Sequence, residues 1–202
     1  MIISVIANYL WYSRTVHKKS PTQEIEKNVA ALNARSQIRA FEAARLLYSK
    51  ADQHLEKELI SLLRDGRRPC NRAAAAFVMQ VVTTPKVIAA LERCLTDTTE
   101  SPKVRGEAAE ALAHNHRMKS HDVLLRSLTD SSKDVRFWCA FALGQMAESR
   151  AIPVLVRLAA TDRRTVRGFH SVSEEAKDAI RNIEVENKAH RKKNGCVFCR
   201  TR

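Results

Sequence analysis

Residues 130–162, DSSKDVRFWCAFALGQMAESRAIPVLVRLAATD, read as a helix, a short turn and a second helix. Val135, Cys139, Ala142 and Leu143 stand at i, i+4, i+7 and i+8, one stripe of a helix with about 3.6 residues per turn. The stretch recurs along the chain at about its own length. Ala43-Ala44, Ala75-Ala76, Ala108-Ala109 and Cys139-Ala140 lie 32, 33 and 31 residues apart, and Asp65, Asp97, Asp130 and Asp162 keep steps of 32, 33 and 32. Two markers held in one register define a repeat, because a single helix pair cannot bury its apolar face alone.

Working outward, each unit carries leucines four apart before its Asp: Leu59 and Leu63, Leu91 and Leu95, Leu124 and Leu128. A second stripe follows the Asp, as in Val104, Ala108, Ala111 and Leu112. Ser20-Pro21, Thr84-Pro85 and Ser101-Pro102 are helix starts, with a hydroxyl as N-cap and proline at the first position. The pattern predicts five helix pairs: 21–33 with 36–49, 52–64 with 70–82, 85–96 with 102–115, 119–129 with 133–147, and 150–161 with 172–185. The last turn, DRRTVRGFHS, is longer than its counterparts, and long loops in compact arrays often carry function.

The Asp-turn followed by Val-Arg and Ala-Ala-x-Ala-Leu resembles HEAT repeats, in particular the phycobilisome lyase-like type. Val104-Arg105 with Ala108-Ala109 and Val135-Arg136 with Cys139-Ala140 carry the likeness, and Asn71-Arg72 with Ala75-Ala76 carries it with one substitution. The resemblance implies an all-α, right-handed α-solenoid of the armadillo type, with the second helix of each pair on the concave side. It also implies that Arg72, Arg105 and Arg136 form an internal ladder with the turn aspartates Asp65, Asp97 and Asp130. Such repeats serve many roles, so function must be argued from sites.

Residues 1–19 are expected to be an apolar cap over the first repeat or a membrane-surface anchor, residues 20–185 the repeat domain, and residues 186–202 a disordered basic tail. The apolar run MIISVIANYLWY is too short to span a bilayer and lacks the marks of a signal peptide. Five cysteines form no disulfide framework, which points to a reducing, cytoplasmic setting. The net charge is +13, but residues 1–20 carry +3 and residues 181–202 carry +5, leaving +5 for the repeat body. Arg67, Arg68, Lys103, Lys133, Arg163, Arg164 and Arg167 fall at turns, where stacking would line them along one edge that either solvates the molecule or contacts phosphates.

Under the resemblance, the concave rows are Glu42, Arg45, Ser49; Ala74, Phe77, Val81; Glu107, Glu110, His114; Trp138, Phe141, Gln145; and Glu175, Asp178, Asn182. Polar residues are expected there, so Phe77, Trp138 and Phe141 stand out. They are either rings buried between helices or an aromatic anchor in a groove, the two rings of the fourth repeat forming one patch beside Phe77. Glu107, Glu110, Glu175 and Asp178 on the same rows disfavour a polyanion.

Deoxyhypusine hydroxylases resemble this fold but bind iron through His-Glu pairs, and no His-Glu dipeptide occurs here. His114 and His116, two apart, point to different sides of a helix. Cys196-x2-Cys199 is half of a zinc motif and a weak metal candidate. The reading is a non-catalytic scaffold that binds another protein through its concave face, with no cofactor. The alternative is a nucleic-acid-binding array, whose enzymatic form resembles HEAT-like DNA glycosylases. The repeat type leaves bilin-lyase-like activity open. Neither the partner nor the oligomeric state is specified.

Overall fold

The structure, a computed structural model, describes residues 21–115 and 120–195. Among them are ten α-helices: α1 (Pro21–Leu32), α2 (Gln37–Tyr48), α3 (Glu56–Asp65), α4 (Pro69–Val78), α5 (Pro85–Thr96), α6 (Pro102–His114), α7 (His121–Ser127), α8 (Lys133–Gln145), α9 (Ile152–Thr161) and α10 (Val172–Gly195). Three 3-10 turns adjoin them: Gln53–Leu55 before α3, Met79–Val81 after α4, and Ser149–Ala151 before α9. The expected segment 1–19, Ser20, His116 and the Cys196/Cys199 pair lie outside the described residues.

The helices begin where local chemistry can satisfy their free N–H groups. Ser36 Oγ accepts from Arg39 N, Thr84 Oγ1 from Val87 N and Ser132 Oγ from Asp134 N. Pro69, Pro85 and Pro102 occupy first-turn positions that need no donor. Ser101 departs from expectation. Its hydroxyl makes no cap bond, and Glu100 Oε1 instead accepts from Ser101 N. The last helix also departs, running past the boundary expected at residue 185 to Gly195.

Odd and even helices alternate along a layered stack. Leu59, Leu63, Leu91, Leu95, Leu124 and Leu155 from the odd helices, with Leu128 just past the end of α7, share one buried core with Ala43, Ala44, Ala75, Ala108, Val104, Val135 and Leu143 from the even ones. Each such leucine contributes roughly 1.5–3 kcal/mol by leaving water. Every extensive contact joins helices of one pair or of the next. Even helices pack closely on one another and odd helices only loosely, so the stack bends toward the even layer. That layer is the concave side.

Small residues set this closeness. A Cβ placed on Gly144 of α8 would lie 2.7 Å from the Ala179 Cα of α10, so the two backbones touch there. Among the described residues no strand forms, and the one isolated bridge pairs Thr165 with Ser171 in the loop between α9 and α10. No described helix is long and apolar enough to cross a membrane.

Candidate partner-binding face

The repeated arginines join neighbouring turns, one of them through an expected aspartate and two through other acids. Arg72 Nη2 donates to Glu100 Oε1 at 2.8 Å, Arg105 pairs with Asp130, and Arg136 Nε donates to Asp162 Oδ2 at 2.8 Å. Each arginine therefore reaches forward to the following turn. Asp65 instead pairs with exposed Arg64, and Asp97 caps its own turn by accepting from Thr99. In the third turn Glu100 takes the role expected of an aspartate. It lies three residues beyond the Asp marker, a shift the periodicity did not reveal.

The basic residues at the turns do not act as one set. Arg68 donates to Arg35 O, Lys133 to Thr165 O and Arg164 to Asp162, so three are held by the protein itself. Lys103, still exposed, places its ammonium 4.9 Å from the centre of the Phe41 ring. Arg67, Arg163 and Arg167 are exposed.

On the concave side, α6, α8 and α10 bring together Glu107, Glu110, Trp138, Phe141, Glu175 and Asp178. The Trp138 and Phe141 rings meet edge to face with centroids 5.6 Å apart. Trp138 is half-buried because its indole lies on the α6 backbone: a Cβ on Gly106 would fall 2.6 Å from Trp138 Cδ1. Phe77 does not join this patch; its ring contact is with Tyr48, at 5.1 Å. Ala74, expected in the solvent-facing rows, is fully buried, whereas Glu42, Arg45, Ser49, His114, Gln145 and Asn182 are exposed.

The residue that completes the patch comes from the long last loop. Val166 N donates to His170 O, Phe169 N to Val166 O and Val172 N to Arg164 O, folding DRRTVRGFHS into a compact turn. Gly168 sits at φ +84°, where only glycine is unstrained. The turn lays Phe169 over Trp138 at 5.1 Å and over buried Phe137 at 5.5 Å, yet Phe169 stays 53% exposed. His170 Nε2 lies 2.9 Å from Glu175 Oε2, which ties the turn to α10. Nothing in helical periodicity could have placed Phe169; the unusual loop length was its sole signal.

The carboxylates beside these rings sit in poor solvent. Burial pushes Glu107 up to about 7, with repulsion from Glu110 adding to the shift and Lys103 opposing it. Burial also raises Glu110 and Glu175, against the pull of His114 and Gln80 on the first and of His170 on the second. Ala113, His114, Phe141 and Gln145 enclose a cleft of about 350 Å³ beside them. His114 Nδ1 is 3.1 Å from Glu110 O, a helix-end contact. The Cys94 thiol, half-buried, is pushed up to about 12 by burial, and the buried Cys139 thiol is raised as well, so neither is a ready nucleophile.

Residues 97–168 match the family described as HEAT repeats. That span runs from the turn before α6 into the loop that carries Phe169. The chain is also 32% identical over 149 residues to a deoxyhypusine hydroxylase of Gibberella zeae, which covers 67% of this chain and 44% of the relative. The chain thus spans less than half of that relative's length. A crystal structure of an engineered protein superposes with a TM-score of 0.49 at 23% identity, covering 79% of each chain.

Proposed function

We propose that this chain is a non-catalytic protein-interaction module that holds a partner on its concave face. One observation carries the reading: Trp138, Phe141 and Phe169 form a continuous ring cluster, half open to solvent, on the side of the solenoid where helices present polar residues. Exposed aromatic clusters of this kind anchor partners, since rings contribute large contact area at small entropic cost. The refined repeat type, phycobilisome lyase-like, rests on Val104-Arg105 and Val135-Arg136 and adds no chemistry to the proposal.

The name of the Gibberella relative raises hydroxylase activity. Two features weigh toward a scaffold instead. The sequence lacks a His-Glu pair, and among the described residues no group of three or more His, Cys, Asp and Glu side chains could hold a metal ion.

Phe169→Ala is the test, because this ring is the most exposed of the cluster and its loss opens little cavity. Capture of the partner from nuclease-treated native lysate should fall by about tenfold or more, roughly a hot-spot loss, while the melting temperature stays near that of the wild type. Unchanged capture with Phe169→Ala and with Phe141→Ala would remove the concave cluster from the interface.

A further inference from the structure

The ring cluster and the acids beside it have to be explained together, because neither is a normal surface. The Glu107 carboxylate is largely desolvated, and among the described residues no hydrogen bond or ion pair reaches it; its interactions are the repulsion of Glu110 and the field of Lys103. A carboxylate withdrawn from water with no donor is costly, and the cost disappears when a cation arrives. Glu110, one helical turn on, faces His114 and the Gln80 amide. Gln80 is only 6% exposed, and its Nε2 reaches no acceptor in ordinary hydrogen-bond geometry, although its amide already favours the ionised form of Glu110. A buried donor left open beside two desolvated acids is half of a binding site. Level with these acids on the next helix stand Trp138 and Phe141, whose ring faces attract both apolar groups and cations.

We infer that the occupant of the concave face is a basic segment of a partner protein, with an arginine or lysine side chain seated at Glu107 and Glu110 and an apolar neighbour on Trp138 and Phe141. A main-chain carbonyl of that segment would accept from Gln80 Nε2. The inference rests on the concave-face reading above and adds the chemistry of what fills it. Charge complementarity is local, since the chain as a whole carries +13 and repels cations at long range. A basic peptide that binds must therefore find the acids of the groove rather than the average surface. A nucleic acid is the opposite case, attracted by the whole molecule and repelled at this site.

The full-length protein is titrated with three fluorescent probes: a short acetylated peptide alternating arginine and leucine, the same peptide with citrulline for arginine, and a short DNA duplex. Citrulline keeps the shape of arginine, removes its charge and replaces one nitrogen donor with a carbonyl acceptor. At ~0.15 M salt the arginine peptide should bind about tenfold or more tighter than the citrulline peptide. Glu107→Gln with Glu110→Gln should abolish that difference without lowering the melting temperature, because amides in place of desolvated carboxylates relieve repulsion. Glu26→Gln with Glu184→Gln, exposed acids elsewhere, should leave it intact.

Equal binding of the two peptides, no binding of either, or a charge preference that survives Glu107→Gln with Glu110→Gln overturns the inference. Displacement of the arginine peptide by the duplex would reassign the face to nucleic acid. Self-association that is lost in the double variant would reassign it to a second copy of the chain. The broader reading fails separately, when lysate capture is indifferent to Phe169→Ala and Phe141→Ala whatever the peptides do.

Discussion

Arg136 joins two repeats through one side chain. Its Nη1 donates to Asp130 O and its Nε to Asp162 Oδ2, while Asp162 also accepts from Arg164. Arg136 and Asp162 are both almost fully buried, so removing one partner strands the other in a poor solvent. Asp162→Ala should cost ~3–5 kcal/mol of unfolding free energy, readable by denaturant titration, whereas Asp65→Ala in the exposed pair should change little. Glu107 behaves in the opposite sense. Its folded pKa, about 7, lies above the unfolded value, so the native state binds more protons and stability falls as pH rises from about 4.5 to 7. Glu107→Gln should flatten that slope and raise stability above pH ~7.5 by on the order of 1–2 kcal/mol, discounted for partial solvent exposure. Melting curves between acid and alkaline pH check it, and a variant less stable than wild type at high pH would refute the assignment.

Among elements, the even helices matter most, because their small faces let them stack closely. Gly144 is the tightest point, with Ala179 of α10 against it. Gly144→Val would drive methyl groups into the α10 backbone, and overpacking of this kind costs ~1–3 kcal/mol or more. Loss of helix signal at α10 in amide-exchange profiles, with α1 to α4 unaffected, is the expected outcome. Gly106 has the same geometry with a different consequence, since the group above it is the Trp138 indole rather than backbone. The turn after Asp162 is the other decisive element. Lys133 at its base, the bridge between Thr165 and Ser171, and the His170–Glu175 pair hold it in place, and so keep Phe169 over Trp138.

At the scale of the molecule, charge is segregated. The basic excess lies toward the chain ends and in exposed turn arginines, and the acids of α6 and α10 line the concave face. Three of the seven basic turn residues are held by intramolecular partners, one of them, Arg164, by an acid, and Lys103 is drawn onto Phe41, so these side chains are not all free to follow a phosphate backbone. Duplex DNA should bind weakly and release near ~0.15 M salt, with a shallow dependence on ionic strength. Tight binding at that salt, lost on neutralising Arg67, Arg163 and Arg167 together, would replace the scaffold reading with a nucleic-acid one.

The architecture was legible in the chain because the interactions that build it are local and repeated. A helix stripe, a capping hydroxyl and a proline act within a few residues, and the stripe with its turn aspartate recurs about 32 residues on, so periodicity exposes the repeat. Trp138 and Phe141 were legible as anomalies for the same reason: they break a row that repeats elsewhere. Other features depended on which residues meet across turns and layers. Glu100 replaced an aspartate in the ladder because a longer side chain reaches Arg72 from three residues away. Phe169, rather than Phe77, completed the ring cluster because an irregular turn has no period to betray where its side chains fall. The elevated pKa of Glu107 likewise arose only when packing on the even layer removed water from a carboxylate that the sequence presents as an ordinary surface acid.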